Sequence, residues 1–283
     1  MRIFPIWHAT CKIPRWMPFP AREPRPDQTV PGINRFPTLS RTETPRADCT
    51  ACPHRDTIRA AGRCEPGDRC LIAHSGRQIE RFLLMNPEFA LACLQDAFWE
   101  RRAIAVRYAP VEAVRTLAHD TDEAVRRAVV TRLPPEELAA FIGDSDREVR
   151  ITVASRLPAE RLHLMLGDPD YLVRQHVAQR IPHGSLKRLV HDEDREVRKE
   201  VARRLPSFVL SQLAGDEDRD VRAIAAARML PDDAARMLAD PDWRVRLGAA
   251  ERAPLEAIHA LVDDEDSDVR EQVRARLNET RYE

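Results

Sequence analysis

Four cysteines, Cys49, Cys52, Cys64 and Cys70, lie within 22 residues of a 283-residue chain. Their spacing is Cys-x2-Cys-x11-Cys-x5-Cys, and Pro53, Gly62, Pro66 and Gly67 sit among them where the backbone must turn sharply. Four thiolates that converge can hold one inorganic centre, and binding it would fold a segment that has no core of its own. Two centres suit the donors. A tetrahedral zinc site is usually built from two tight knuckles, and five residues between Cys64 and Cys70 is wide for the second. A 4Fe-4S cluster spreads its iron corners further and tolerates uneven spacing. Spacing alone leaves the two open. A structural disulfide pair stands behind both, because six Cys in 283 residues is not the density of a secreted disulfide scaffold. His54, directly after the Cys52-Pro53 turn, reads as a solvent-facing turn residue and not as a ligand. Cys11 has no partner at a useful spacing.

No other constellation suggests chemistry. The chain has no glycine-rich phosphate loop, no Gly-x-Ser-x-Gly elbow and no His-Glu-x-x-His helix, so the expectation is that it is not an enzyme. A formal charge of −1 is not that of a polycation built for nucleic acid. No apolar run approaches the ~18 residues that span a bilayer. The opening stretch is broken by Pro and charge before a signal-like core can form, which makes the expected protein soluble and cytoplasmic, with no membrane contact.

What must position the cysteines is a repeat. Val-Arg recurs at a step of 24 residues from Val125-Arg126 to Val269-Arg270. With Val125 as position 1, position 2 is Arg eight times running: Arg102, Arg126, Arg150, Arg174, Arg198, Arg222, Arg246 and Arg270. Position 20 is Asp eight times running: Asp96, Asp120, Asp144, Asp168, Asp192, Asp216, Asp240 and Asp264. Position 22 is Asp in seven of eight units, where a carboxylate can accept the free amides that open a helix. Val149, Val153, Ala154 and Leu157 form one apolar stripe at helical spacing, and Pro158 ends the helix. The short return segment, with Leu162 and Met165 three apart, suits a 3-10 turn as well as a second α-helix. A unit with one stripe has no core until it stacks on copies of itself, so the units make a solenoid.

The chain therefore divides into a Pro-rich irregular extension over 1–45, a four-cysteine domain over 46–76 and an all-α solenoid over 77–283. Within the solenoid, 77–100 reads as an amino-terminal cap, 101–268 as seven full units and 269–283 as a partial one. Arg101, where later units have Val, makes the first interface different. Cys93 falls where later units carry Leu117, Phe141 and Met165, which makes it a core side chain. The Arg and Asp rows read first as a structural network of bidentate bonds tying loops to helices. A second Arg row at position 8 (Arg132, Arg156, Arg180, Arg204, Arg228, Arg252, Arg276) offers a phosphate-contacting face. Residues 77–283, however, hold 33 basic and 39 acidic side chains, a balance that disfavours a polyanion.

The run Cys49-Thr50-Ala51-Cys52-Pro53-His54, the closing Pro66-Gly67-Asp68-Arg69-Cys70, the stretch from Phe98 to Tyr108 and the 24-residue units together resemble the bacterial leucine-rich repeat variant proteins with an amino-terminal iron-sulfur domain. The resemblance covers about 46–283. It implies a right-handed solenoid of alternating α and 3-10 helices, one 4Fe-4S cluster with Cys49, Cys52, Cys64 and Cys70 as ligands, and an association with nitrogen-fixing bacteria. The function expected is a redox-linked protein-interaction module, with electron transfer or redox sensing at the cluster and a protein partner along the solenoid face. The alternative is a scaffold whose metal centre, 4Fe-4S or zinc, only folds and caps the stack. A weaker alternative is an Arg-lined groove for nucleic acid.

Overall fold

The computed structural model describes residues 47–279; the Pro-rich extension, Cys11 and the last four residues lie outside the described residues. Among the described residues nine longer helices follow one another: α1 (Gly76–Met85), α2 (Trp99–Ala105), α3 (Glu123–Arg132), α4 (Arg147–Arg156), α5 (Tyr171–Arg180), α6 (Arg195–Arg204), α7 (Arg219–Ala226), α8 (Trp243–Arg252) and α9 (Ser267–Glu279). Each packs on the next. The expected all-α solenoid of α/3-10 units is the fold observed, and no strand occurs among the described residues. The return segments take both expected forms. Pro135–Phe141, Ala159–Met165 and Ser207–Leu213 are 3-10 throughout, whereas Val111–Val114, His183–Leu186 and Leu255–Ile258 make one α turn before tightening to 3-10. Pro231–Ala235 is α.

Six successive repeats start their helices by the same device. The carboxylates of Asp122, Asp146, Asp170, Asp194, Asp218 and Asp242 sit at N-caps with extended backbone and accept amides of the first turn. The stripe then faces inward: Val125, Val149, Val173, Val197, Val221, Val245 and Val269 are all 0% exposed. Gly248 marks a close approach between layers. A Cβ there would stand 3.1 Å from the Ala223 carbonyl and 3.2 Å from the Ala227 methyl, so α7 and α8 close on each other where both side chains are minimal.

The Arg and Asp rows form a continuous spine. Arg126 Nε and Nη2 donate to the two carboxylate oxygens of Asp144 at 2.8 and 2.9 Å, while Nη1 donates back to the Asp120 carbonyl at 2.9 Å. The same clamp is made by Arg102 on Asp120, Arg150 on Asp168, Arg174 on Asp192, Arg198 on Asp216, Arg222 on Asp240 and Arg246 on Asp264. Arg270 ends the spine on the Asp264 carbonyl at 2.6 Å. Each aspartate also accepts the amide two residues on, as Asp144 does from Asp146 at 2.9 Å. Every guanidinium thus ties the loop before its helix to the loop after it.

At the amino end the pattern changes. Position 2 of the cap is Gln78, buried, and Arg101 takes the Asp96 carboxylate instead, which is how the first interface differs.

The second Arg row is spent on backbone. Arg156 donates to the Val130 carbonyl, Arg180 to Ala154, Arg204 to Ala178, Arg228 to Ala202 and Arg276 to Ala250, each time at the carboxyl end of the preceding helix. There a cation meets both an unsatisfied acceptor and the negative end of the helix dipole. Arg132 and Arg252 make no such bond. The helices before them, α2 and α7, run seven and eight residues instead of the ten of their neighbours α3 and α8.

Replacing Asp168 by Ala should cost about 3 kcal/mol or more of unfolding free energy, because Arg150 is left largely buried without its counter-ion. A loss in urea titration below about 1 kcal/mol would put the spine in the class of screened surface pairs.

The same spine predicts acid sensitivity. Burial pushes the Asp120, Asp144 and Asp240 carboxyls up, but the guanidinium and amide bonds outweigh it and hold them below the ordinary value. At Asp264 the Arg246 bond is the leading influence, with the same net lowering. Groups depressed by folding contribute stability above their unfolded pKa of about 3.9 and lose it as pH falls through the folded value. Denaturation midpoints should therefore hold from neutral pH to about 5 and drop below about 4; constancy down to pH 3 would contradict the arrangement.

Candidate metal centre

The cysteine segment is shaped by turns. Asp48 accepts the Thr50 amide at 2.8 Å and its hydroxyl at 2.6 Å, which bends the chain at Cys49. The Arg55 amide closes back on the Cys52 carbonyl at 3.1 Å, and one π turn, Arg55–Arg59, follows. Glu65-Pro66-Gly67-Asp68 is a type II turn: the Asp68 amide bonds the Glu65 carbonyl at 3.1 Å, and Gly67 has φ +85°, a conformation suited to glycine. Glu65 and Arg69 then exchange both backbone bonds at 2.8 Å as an antiparallel bridge. Cys64 and Cys70 flank that bridge, so an antiparallel pair places them opposite each other. The five intervening residues that look too wide for a knuckle are consumed by the turn.

The segment is seated on the cap. The Cys70 amide donates to the Gln78 carbonyl at 3.2 Å, and Asn86 Nδ2 donates to the Arg63 carbonyl at 3.1 Å and the Phe82 carbonyl at 2.8 Å. Arg63 in turn pairs with Glu88, and Arg81 with Asp68. His54 departs from the expectation of a solvent-facing turn residue: its ring meets Phe89 edge-on at 5.2 Å and lies 6.1 Å from Phe82. It pins the Cys52 turn to α1 by apolar contact. Sequence pattern carries one signal for Asn86, which stands at position 10 where most later units have Pro; the Cys70 bond to Gln78 uses backbone alone and leaves no signal in the sequence.

All four cysteines carry free thiols, Cys70 buried and Cys49, Cys52 and Cys64 half-buried. Burial, then the neighbouring Cys70, Cys52 and Cys49, push the Cys64 thiol up to about 11, with Arg59 opposing. Cys64 thus feels the charge of the other three cysteines. Among the described residues, no group of three or more His, Cys, Asp or Glu gathers closely enough to enclose a single ion. The donor set fits a soft, thiolate-seeking centre, which would stabilise the thiolates that otherwise repel. When bound, such a centre supplies charge neutralisation and, if it contains iron, a one-electron couple. Cys93, by contrast, is buried under the first layers of the stack, and burial pushes its thiol up to about 11.

These features define a helical-repeat protein with a four-cysteine module seated on its amino-terminal cap. A solved structure described as a leucine-rich repeat variant with a novel repetitive structural motif is 54% identical, with a TM-score of 0.79, over 82% of this chain and 100% of its own. Residues 45–92 match the family model described as the leucine-rich repeat variant protein FeS4 cluster, and residues 147–170 and 195–218 match the leucine-rich repeat variant model. The chain belongs to the leucine-rich repeat variant family. It is also 40% identical over 87 residues to an uncharacterized 27.7 kDa protein of Rhodobacter capsulatus from the nifB 3' region, a match that spans 31% of this chain and 35% of that relative. An engineered protein, 18% identical with a TM-score of 0.36 over 71% of this chain and 80% of its own, is too distant to carry an argument.

Cys64→Ser should abolish stable binding of the metal centre while leaving the far-ultraviolet helical signal of 101–279 largely intact. Gly67→Val should lower metal content without changing the solenoid melt, because only the turn needs a positive φ. Full metal content in Gly67→Val would mean that the turn does not set the cysteine positions.

Proposed function

We propose that Cys49, Cys52, Cys64 and Cys70 bind one 4Fe-4S cluster and that the protein is a redox-linked interaction module, with the cluster exchanging electrons or reporting redox state while the solenoid holds a protein partner. The observation that carries this is the antiparallel turn that sets Cys64 opposite Cys70, with Cys64 also feeling the charge of Cys52 and Cys49. A cubane takes one thiolate at each iron, so its ligands stand around a body instead of meeting at a point. The match of residues 45–92 to an FeS4 cluster domain supports the same choice over zinc. With a cysteine on every iron there is no open corner for substrate, which accords with a role that is not enzymatic. A thiolate-bound cluster suits a reducing, cytoplasmic compartment. Among the described residues no helix is long and apolar enough to cross a membrane. The nifB-region position of the Rhodobacter relative supports a setting in nitrogen-fixing bacteria.

The second reading, a scaffold in which the centre only folds and caps the stack, is favoured by one observation: His54, Arg63 and Cys70 all anchor the segment to the cap. Nucleic acid is disfavoured as partner, because most of the position-8 arginines are already committed to carbonyls.

Anaerobic purification should yield iron and sulfide near four each per chain with no stoichiometric zinc. Dithionite should bleach the visible absorption reversibly, at one potential, with helicity unchanged. Zinc in place of iron would overturn the cluster, and reduction that releases iron and unfolds 46–76 would leave the scaffold reading standing.

A further inference from the structure

The crevice between α2 and α3 differs from those between later layers. It has a volume of about 620 Å³ and opens beside Trp99, which is 42% exposed. Its origin is legible in the register. Position 3 is Ala103 on α2 where the next four units carry Arg127, Ile151, Gln175 and Lys199. Position 24 is Ala124 where the next three carry Glu148, Leu172 and Glu196, and position 4 on α3 is Ala128 where the next three units have Thr152, His176 and Glu200. Three methyl groups replace long side chains and leave a trough.

The rim is basic. Arg107, Arg127 and Arg132 line the trough, against the single acid Glu100, whose carboxylate lies against Gly76 at the amino end of α1. Arg107 is paired with Glu80 and Arg127 with Asp146, the latter at 3.3 Å. Arg132 is exposed and, among the described residues, has no carboxylate or carbonyl partner; the short α2 before it does not offer the carboxyl-terminal carbonyl that its counterparts use. Arg127 Nε is buried and makes no hydrogen bond. An apolar trough with an aromatic wall, one uncommitted guanidinium and one unmet donor suits a ligand with an apolar side chain beside a carboxylate.

We infer that this trough docks a peptide segment of a partner protein in which Asp or Glu neighbours an aliphatic or aromatic anchor, an assignment that gives chemistry to the partner of the proposed interaction module and rests on that reading. The anchor enters between α2 and α3 over Ala128, and its carboxylate pairs with Arg132. Because the trough belongs to the first layer above the cap, a partner held there sits at the cluster end of the stack.

The test is selection of a random dodecapeptide display library on the oxidised, cluster-loaded full chain. Enriched peptides should combine acidic and large apolar residues and bind more weakly as salt rises. Arg132→Glu and Ala128→Leu, the second filling the trough, should each weaken the selected peptides by about tenfold or more. Arg252→Glu, which removes the other uncommitted arginine of the row, should leave binding unchanged. Equal melts across the three variants exclude misfolding as the cause. No enrichment, enrichment of peptides without acidic residues, or binding that survives both trough variants would overturn the assignment. So would an equal loss in Arg252→Glu. Because the selection needs no electron transfer, a chain that cannot be reversibly reduced can still pass it, so the two readings fail separately.

Discussion

The guanidinium of position 2 is the element on which the rest depends. It uses its planar fork on the Asp of position 20 and its remaining arm on the carbonyl of the preceding loop, so one side chain measures the distance between two successive turns of the solenoid. Arg174 and Arg198 are almost wholly buried, a state that carries a heavy desolvation cost unless every donor is satisfied. Here nearly every donor is, because the loop carbonyls, the carboxylate and the N-cap amides stand in one network. The apolar stripe drives stacking; the clamp fixes its pitch, since Val and Leu can slide in a way that a bidentate pair cannot. The position-8 arginines add a second tie, from each helix to the carboxyl end of the one before it.

The cysteine module uses the same register by departing from it. At the cap, the Arg of position 2 gives way to Gln78 and the Pro of position 10 to Asn86. The Gln78 backbone carbonyl accepts the Cys70 amide, and the Asn86 side-chain amide donates to the Arg63 carbonyl. Where the spine has no earlier layer to grip, the Gln78 backbone and the Asn86 side chain hold the metal-binding segment. The solenoid's open end, which in a repeat protein must be covered to keep its core from water, is closed by the module. This joins the two parts energetically and gives the chemistry of the cysteines a rigid seat.

The departures at the second layer have the opposite outcome. A shortened α2 and three alanines open a trough and release Arg132 from the duty that its counterparts perform. In a chain of near-copies, the positions that break the pattern are where specificity has room to reside, because the common positions are already consumed by architecture.

Much of this was legible in the one-dimensional pattern. A 24-residue period with Asp at position 22, Val at position 1 and Pro at position 10 specifies helix start, buried face and helix stop by local rules that hold in nearly every copy. The rows of Arg and Asp announced a network for the same reason, and Pro66-Gly67 announced a turn. Which Arg pairs with which Asp, the commitment of the second row to backbone carbonyls, the packing of His54 against Phe89 and the freeing of Arg132 depend on where one layer ends relative to the next. Those are distances between residues that the chain separates by a full turn of the solenoid, and only stacking sets them. Sequence determined what each layer is; tertiary structure decided which of its polar groups remain unspent, because a hydrogen-bond donor is consumed or left free only when its neighbour in space is known.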